Sequence, residues 1–390
     1  MANFNTGDYR TRTIIEARKN PGGNLKSWGV AVDIGYSSVK MFSPNSIACF
    51  PAYAKRVPIG TGDGALGQIG KNVIIYRDST SEYFVGQMAL DDASTTDASA
   101  ASHFVRDRYN KDDFKVLART GIALGCMKNQ CGDPGKKPVC ITTGLPPAYL
   151  EEDSGDITAV FAGTHVFSVK VGNSDWQDFK ITIVDTDVSV ISQPLGTLFS
   201  ISMDTNGGMV ADAKKYFASN LIVFDPGYGT LDLFTIKNAF PDPSKCVSRD
   251  DLGMKAVFER TSQLIEKKYG VKKSVHELTM AMPKGEIIVG DRKRHIQKSV
   301  PFGEELEQAS NEICKEALSF LDSETNYLNN VDYLVITGGT GAAWYKMIAK
   351  ELSQSQINIV KGNVTDPSLD GLFGNVRGYY MSMLTMIKRG

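Results

Sequence analysis

The 390-residue sequence is short of several things, and each shortage excludes a class of protein. Its net charge is only −1, from 43 basic and 44 acidic residues, so no overall field draws it onto nucleic acid or an anionic membrane. No apolar run reaches the roughly 20 residues of a membrane span. The opening stretch, MANFNTGDYRTRTIIEARKNPGGNLK, has no apolar core of signal-peptide length. Six cysteines in so long a chain build no disulfide framework, and a reducing cytoplasm is the expected setting. Cys126, Cys131 and Cys140 lie close together in CMKNQCGDPGKKPVC. Without a Cys-x-x-Cys pair or a nearby histidine they read as ordinary thiols, not zinc ligands.

What remains is an ordinary soluble composition, 42% hydrophobic and 22% charged. The length exceeds what one hydrophobic core usually supports, so two domains or one duplicated domain are expected. Alternating and buried-strand patterns (WGVAVDI, PVCITTGL, HVFSVKVG, FKITIVDTDVSVI, NLIVFD, YLVI) mix with helical spacing in DDFKVLARTGIALGCM, QPLGTLFSISMD, GMKAVFERTSQLIEKKYG, EELEQASNEICKEALSFL, AAWYKMIAKELS and GYYMSMLTMIKR. The class is α/β. SEYFVGQMA reads as a further strand, and the polar stretch at 92–102 as a surface loop. Residues 1–27 are expected to be a loosely attached extension, because NPGGN breaks any helix begun by TIIEARK.

One phrase is written twice. AVDIGYSSVKMF (31–42) and IVFDPGYGTLDLF (222–234) superpose at an offset of 192 positions (225 − 33), with Asp225 on Asp33, Gly227 on Gly35, Tyr228 on Tyr36 and Thr230 on Ser38. Each copy is an apolar strand, a small-residue turn and a returning strand. Two copies in register, each opening a half of mixed strands and helices, point to duplication.

The turns suggest a chemistry. Gly35, Ser37 and Ser38 in the first copy, and Gly227, Gly229 and Thr230 in the second, leave backbone N–H groups accessible, and such a nest suits phosphate oxygens. Lys40, on the returning strand, is placed to neutralise a phosphate. Asp33 and Asp225 would repel phosphate directly, but are well placed to hold Mg²⁺ through its water shell; turn formation alone is the alternative role for an Asp at such a bend. A third element, LVITGGTGAAWYKMI, runs a strand into Gly338, Gly339, Thr340 and Gly341 at a helix start, where a nucleotide can approach the backbone. A dinucleotide-binding loop is the competing reading of these glycines.

Taken together, these motifs resemble the actin/Hsp70/sugar-kinase ATPase superfamily from about Trp28 onward. Asp33-Ile-Gly-Tyr-Ser-Ser-Val-Lys40 is similar to its first phosphate motif, and Asp225-Pro-Gly-Tyr-Gly-Thr-Leu-Asp232 to its second. Gly338-Gly-Thr-Gly341 is similar to its adenosine motif, SQPLGTLF (192–199) to its first connecting motif and FGNVRGYYM (373–381) to its second. YFVGQMA, TTGLPPAYL and NVRGYY give it the flavour of the bacterial ParM/StbA plasmid-segregation actins. The resemblance implies two RNase-H-like domains flanking a nucleotide cleft, with residues 28–195 and the terminal helix 376–390 in the first and 196–375 in the second. A mostly helical insertion is expected at about 251–330.

The resemblance also implies ATP (GTP is the alternative) with Mg²⁺, contacts from Asp33, Gly35, Tyr36, Ser37, Ser38, Lys40, Gly227, Tyr228, Gly229, Thr230, Gly338, Gly339, Thr340 and Gly341, and catalysis by Asp225 and Gln193. Gln193 stands where relatives orient the attacking water, although Ser192 replaces a common proline and Pro226 and Tyr228 are local choices. Self-assembly into filaments and a ParR-type DNA-binding adaptor on a centromere-like site are further implications, as is the absence of direct nucleic-acid or membrane contact. A small-molecule kinase of the same superfamily is the rival, but it needs an acceptor-side general base that the sequence does not display. The basic run at 290–298, GDRKRHIQK, reads as a solvated face, with a filament or adenine-side contact as the alternative.

Overall fold

The repeated phrase is a repeat of topology. The computed structural model describes residues 9, 11–64, 70–92, 108–291 and 296–387; the loop expected at 92–102 falls almost wholly outside them, as do basic residues 292–295. Among the described residues the chain forms two compact units, one of residues 11–218, 239–243 and 362–387, the other of residue 9, 219–238 and 244–361.

The first unit holds strands β1 (Ile14–Ala17), β2 (Trp28–Ile34), β3 (Ser38–Phe42), β4 (Ser46–Pro51), β5 (Ala54–Val57), β6 (Ile74–Arg77), β7 (Glu82–Val85), β8 (Val139–Leu145), β9 (Gly163–Val171), β10 (Gln177–Ile183) and β11 (Val188–Ser192). Its helices include α1 (Gln87–Asp91), α2 (Asp112–Cys126), α3 (Leu150–Phe161), α4 (Gln193–Ser202), α5 (Ala213–Ala218) and the C-terminal helix Gly374–Ile387. The main sheet runs β1-β4-β3-β2-β8-β11. The first four strands pair antiparallel, and β8 and β11 add on in parallel.

β2 is buried along its whole length. Val30 and Val32 face α2, where Gly125 and Gly121 let the helix approach so closely that added Cβ atoms would lie 2.6 and 3.0 Å from those valines. On the opposite face Gly29 admits Met383 of the C-terminal helix. Burying each large aliphatic side chain contributes about 1.5–3 kcal/mol, so covering both faces makes β2 the stiffest platform in the unit. A second sheet, β10-β9-β6-β7-β5, carries its own small core around Tyr53, Ile75 and Phe84.

The second unit holds β12 (Asn220–Pro226), β13 (Leu231–Lys237), β14 (Val247–Arg249), β15 (Glu286–Asp291), β16 (Ile296–Pro301), β17 (Tyr333–Ile336) and β18 (Asn358–Lys361), with helices α6 (Met254–Tyr269), α7 (Val275–Ala281), α8 (Gly303–Thr325) and α9 (Gly339–Glu351). Its sheet runs β14-β13-β12-β17-β18, antiparallel for the first three strands and parallel for the rest. That is the order and polarity of β4-β3-β2-β8-β11.

Three expectations change. Residues 11–27 are no loose extension: the β-branched pair Ile14-Ile15 builds an edge strand on β4, Arg12 and Arg18 pair with Asp370 and Asp366 at 2.6 Å, and Asn20 donates to the Ser43 carbonyl. The boundary falls at 218/219, not 195/196, because α4 packs on the C-terminal helix within the first unit. Within 251–330, three helices are joined by a hairpin of β15 and β16. SEYFVGQMA ends as a strand at Val85 and continues as α1, after Gly86 turns the chain at φ 73°.

Candidate functional site

In the first unit the β2–β3 turn is closed by Gly35 N–H donating to the Ser38 carbonyl at 3.0 Å, and Ala52 N–H donates to Ser37 O at 2.9 Å. Asp33 and Lys40 are cross-strand partners, so their side chains share a face, and Lys40 Nζ donates to Asp33 Oδ2 at 3.2 Å. Asp33 and Ser38 are buried; Gly35, Tyr36, Ser37 and Lys40 are half-buried. Arg108 sits behind the turn, donating to Ile34 O at 2.7 Å and Gly35 O at 3.5 Å, with its guanidinium 4.5 Å from the Tyr36 ring centre and 5.2 Å from that of Phe114. Burial holds the Arg108 pKa below the usual guanidinium value. This half-site therefore sets two cations beside one carboxylate, a balance that suits a phosphate group.

Gln193 opens α4, half-buried, with Ser192 as N-cap and Pro194 in the first turn. The helix is fixed from behind. A Cβ on Gly378 would lie 1.7 Å from Gly196 O, and a Cβ on Gly196 or Gly144 would enter the Tyr379 ring. Thr197 donates to Asn375 Oδ1 at 2.9 Å. At the far end of α4, Arg377, wholly buried, donates to the carbonyls of Ser200, Met203 and Asp204, satisfying groups that a helix terminus leaves open. Desolvation lowers its pKa to about 10.

In the second unit Gly227 N–H donates to Thr230 O at 2.7 Å, repeating the closure seen at Gly35. Asp225 is buried, and its cross-strand partner is Asp232, where the first hairpin has Lys40. Thr230 Oγ1 donates to Asp232 at 2.9 Å and Ser248 donates to its other oxygen. Burial raises the Asp232 pKa despite those donors.

The glycine loop joins this hairpin. Gly338 adopts φ 77°, and a Cβ there would lie 2.2 Å from Asp225 Oδ1. Gly339 opens α9, Thr340 Oγ1 donates to Gly227 O at 2.8 Å, and Gly341 lies against Pro226. Pro226, a local choice in the second turn, thus packs onto the third motif. The N-terminus of α6 also abuts the turn, with Met254 and Lys255 N–H donating to Gly227 and Tyr228 carbonyls at 3.1 and 2.9 Å. The Tyr228 ring packs toward Phe258, and burial lifts its hydroxyl to about 12. Gly229 is half-buried at the turn.

The expected residues therefore gather as two half-sites. Asp33 to Lys40 and Gln193 lie in the first unit; Asp225 to Thr230 and Gly338 to Gly341 lie in the second. The sequence reading passed over Arg108 and the role of Asp232. Asp232 carried a signal, since it closes the second phosphate motif at the position of Lys40. In each hairpin the strand entering the turn carries a buried aspartate, and no cluster of three or more metal-ligating side chains occurs among the described residues. That donor set fits Mg²⁺ held mainly by phosphate oxygens and water.

Residues 31–196 match the family model described as the N-terminal domain of actin-like proteins. No curated protein sequence matches the chain. Among solved structures, a non-polymerisable quadruple mutant of pCBH ParM superposes with a TM-score of 0.67 at 17% identity, covering 92% of this chain and 99% of that one. A ParM from a 15-stranded Clostridium botulinum filament gives 0.64 at 18% identity over 93% and 99%. The archaeal actin homologue Ta0583 in complex with ADP gives 0.59 at 16% identity over 92% and 99%.

Proposed function

We propose that this chain, which carries the two-domain actin-like fold, is a cytoplasmic ATPase that assembles into filaments and drives plasmid DNA segregation through a DNA-binding adaptor. The observation that carries the reading is the matched pair of hairpins: five strands of each unit's main sheet share one order and polarity, each with a buried aspartate on the strand entering a glycine turn. A structural scaffold has no need to repeat that carboxylate, whereas a metal–triphosphate does.

Each of the two hairpins would contact nucleotide phosphates. Lys40 and the turn N–H groups neutralise the phosphates, and Asp33 and Asp225 orient the water shell of Mg²⁺. When bound, Mg²⁺ draws charge from the terminal phosphoryl group. Gly338, Gly339 and Gly341 open the start of α9 to the rest of the nucleotide, with ATP favoured and GTP the alternative. Gln193 orients the attacking water; phosphoryl transfer needs positioning and charge neutralisation more than a strong base. The filament assignment is supported by the likeness to a ParM taken from a filament.

Near-zero net charge makes direct DNA binding at physiological salt unfavourable, so cargo is captured by a ParR-type adaptor on a centromere-like repeat. Sedimentation with and without Mg-ATP, with phosphate release followed in parallel, tests this. Polymer that forms with nucleotide, releases phosphate and leaves plasmid DNA unbound until the adaptor is added is the expected result. Phosphorylation of a small metabolite without polymer would establish the kinase alternative, and tight DNA binding by the chain alone would remove the adaptor.

A further inference from the structure

We propose that Arg108 is the positioning residue of the first phosphate turn: its guanidinium fixes the carbonyls of Ile34 and Gly35 on one side, presents the N–H side of the turn to the nucleotide, and has its charge balanced by the bound phosphates. The inference deepens the nucleotide reading above and rests on it.

Geometry carries the first part. A trans peptide holds its C=O and N–H on opposite sides, and the chain has no cis bond among the described residues. Arg108 Nη2 donates to Ile34 O at 2.7 Å while the N–H of that same peptide, on Gly35, donates to Ser38 O at 3.0 Å. This peptide plane is pinned at both ends. The next carbonyl, Gly35 O, lies 3.5 Å from Nη1, which directs the following N–H, on Tyr36, away from the guanidinium. One planar fork thus sets two successive peptides, a task the five fixed donors of arginine suit and a lysine ammonium does not.

Charge carries the second part. The half-buried guanidinium lies against the Tyr36 and Phe114 rings, and no carboxylate among the described residues forms an ion pair with it. Asp33, the carboxylate nearest in effect, is engaged by Lys40 at 3.2 Å. Partly burying a cation without a full counter-charge has a cost. That cost falls when phosphate binds at the turn, so Arg108 makes the empty turn less comfortable than the occupied one.

The test is calorimetric titration of the full chain and of Arg108→Met and Arg108→Lys with Mg-ATP, Mg-ADP and adenosine (the guanine set if GTP binds tighter), with thermal midpoints recorded alongside. Arg108→Met is expected to weaken both Mg-nucleotides by about tenfold or more while adenosine binding stays within about twofold. Arg108→Lys should recover part of that loss. Unchanged Mg-ATP affinity in Arg108→Met overturns the proposal. Equal losses for adenosine and ATP overturn it too, since a merely structural residue behaves so. Should Arg108→Met fold poorly, Arg108→Lys decides: full parental affinity for Mg-ATP would show that the fork is not needed. A parent chain that binds no Mg-nucleotide overturns the nucleotide reading itself, a different outcome from a parent that binds and variants that bind as well.

Discussion

The place a Cβ would take on Gly338 lies 2.2 Å from Asp225 Oδ1. Two motifs 113 positions apart (338 − 225) are therefore one site, in which the carboxylate rests against the backbone of the glycine loop. Alanine at 338 has to adopt φ near 77° and to displace Asp225 as well. Gly338→Ala is expected to cost about 1–3 kcal/mol of stability from backbone strain and to depress Mg-nucleotide binding further than that loss explains. Urea unfolding and nucleotide titration on the same preparation check both. Parental affinity in the variant would show that the carboxylate position does not matter to the ligand.

Gln193 stands at the head of a helix anchored along its back and at its far end. Gln193→Ala leaves those anchors intact, so folding and nucleotide-dependent assembly should persist while hydrolysis falls on the order of 100-fold. Filaments should then disassemble slowly. Turbidity and phosphate release recorded together decide; lost assembly with normal monomer hydrolysis would assign Gln193 a structural role instead.

How much of this could be read beforehand depends on the element. The hairpins were legible because Asp-x-Gly between apolar β-formers has one good local solution, and the seven-residue spacing of Asp33 and Lys40 is what the register turns into an ion pair. Arg108 was not legible: an arginine beside a polar stretch carries no periodicity, and its partners are backbone carbonyls 73 and 74 positions away. Nor was the edge strand Ile14–Ala17, since the adjoining NPGGN punctuates a strand as readily as it breaks a helix. The boundary was misplaced by sequence because α4 is held in the first unit by contacts with a helix about 180 positions away, among them a glycine-on-glycine crossing and the Thr197–Asn375 bond, which no local pattern displays.

Asp232 gives a pH dependence with a definite sign. Burial raises its folded pKa above the ordinary 3.8. Below pH 3.8 both folded and unfolded chains hold the proton, and the residue costs nothing. As the pH rises past 3.8 the unfolded chain releases its proton first, so stability falls until the folded carboxyl also ionises, and the cost is constant above that point. Asp232→Asn removes this term. Its stability relative to the parent should climb with pH from about 4 and then level off, as measured by urea unfolding at intervals from pH 4 to 8. A difference that stays flat across that range would mean Asp232 is as free to ionise folded as unfolded.

The crossing of α4 and the C-terminal helix gives the sharpest steric prediction. A Cβ on Gly378 would lie 1.7 Å from Gly196 O and 2.4 Å from its carbonyl carbon. No rotamer relieves an overlap with backbone, so the helices must separate. Separation in turn unseats Tyr379, whose ring fills the spaces left by Gly144 and Gly196, and it tilts the helix that carries Gln193. Overpacking of a close-packed interior typically costs about 1–3 kcal/mol, occasionally more, and Gly378→Ala should fall at or above the top of that range. Gly155, in the middle of α3 with nothing within 4 Å of its would-be Cβ, is the matched control: there alanine should stabilise by roughly 0.5–1 kcal/mol, the helix-propensity gain over glycine. Unfolding midpoints of the two single variants should therefore move in opposite directions, and hydrolysis should fall only in Gly378→Ala. Equal midpoints would show that the crossing has room the structure does not contain.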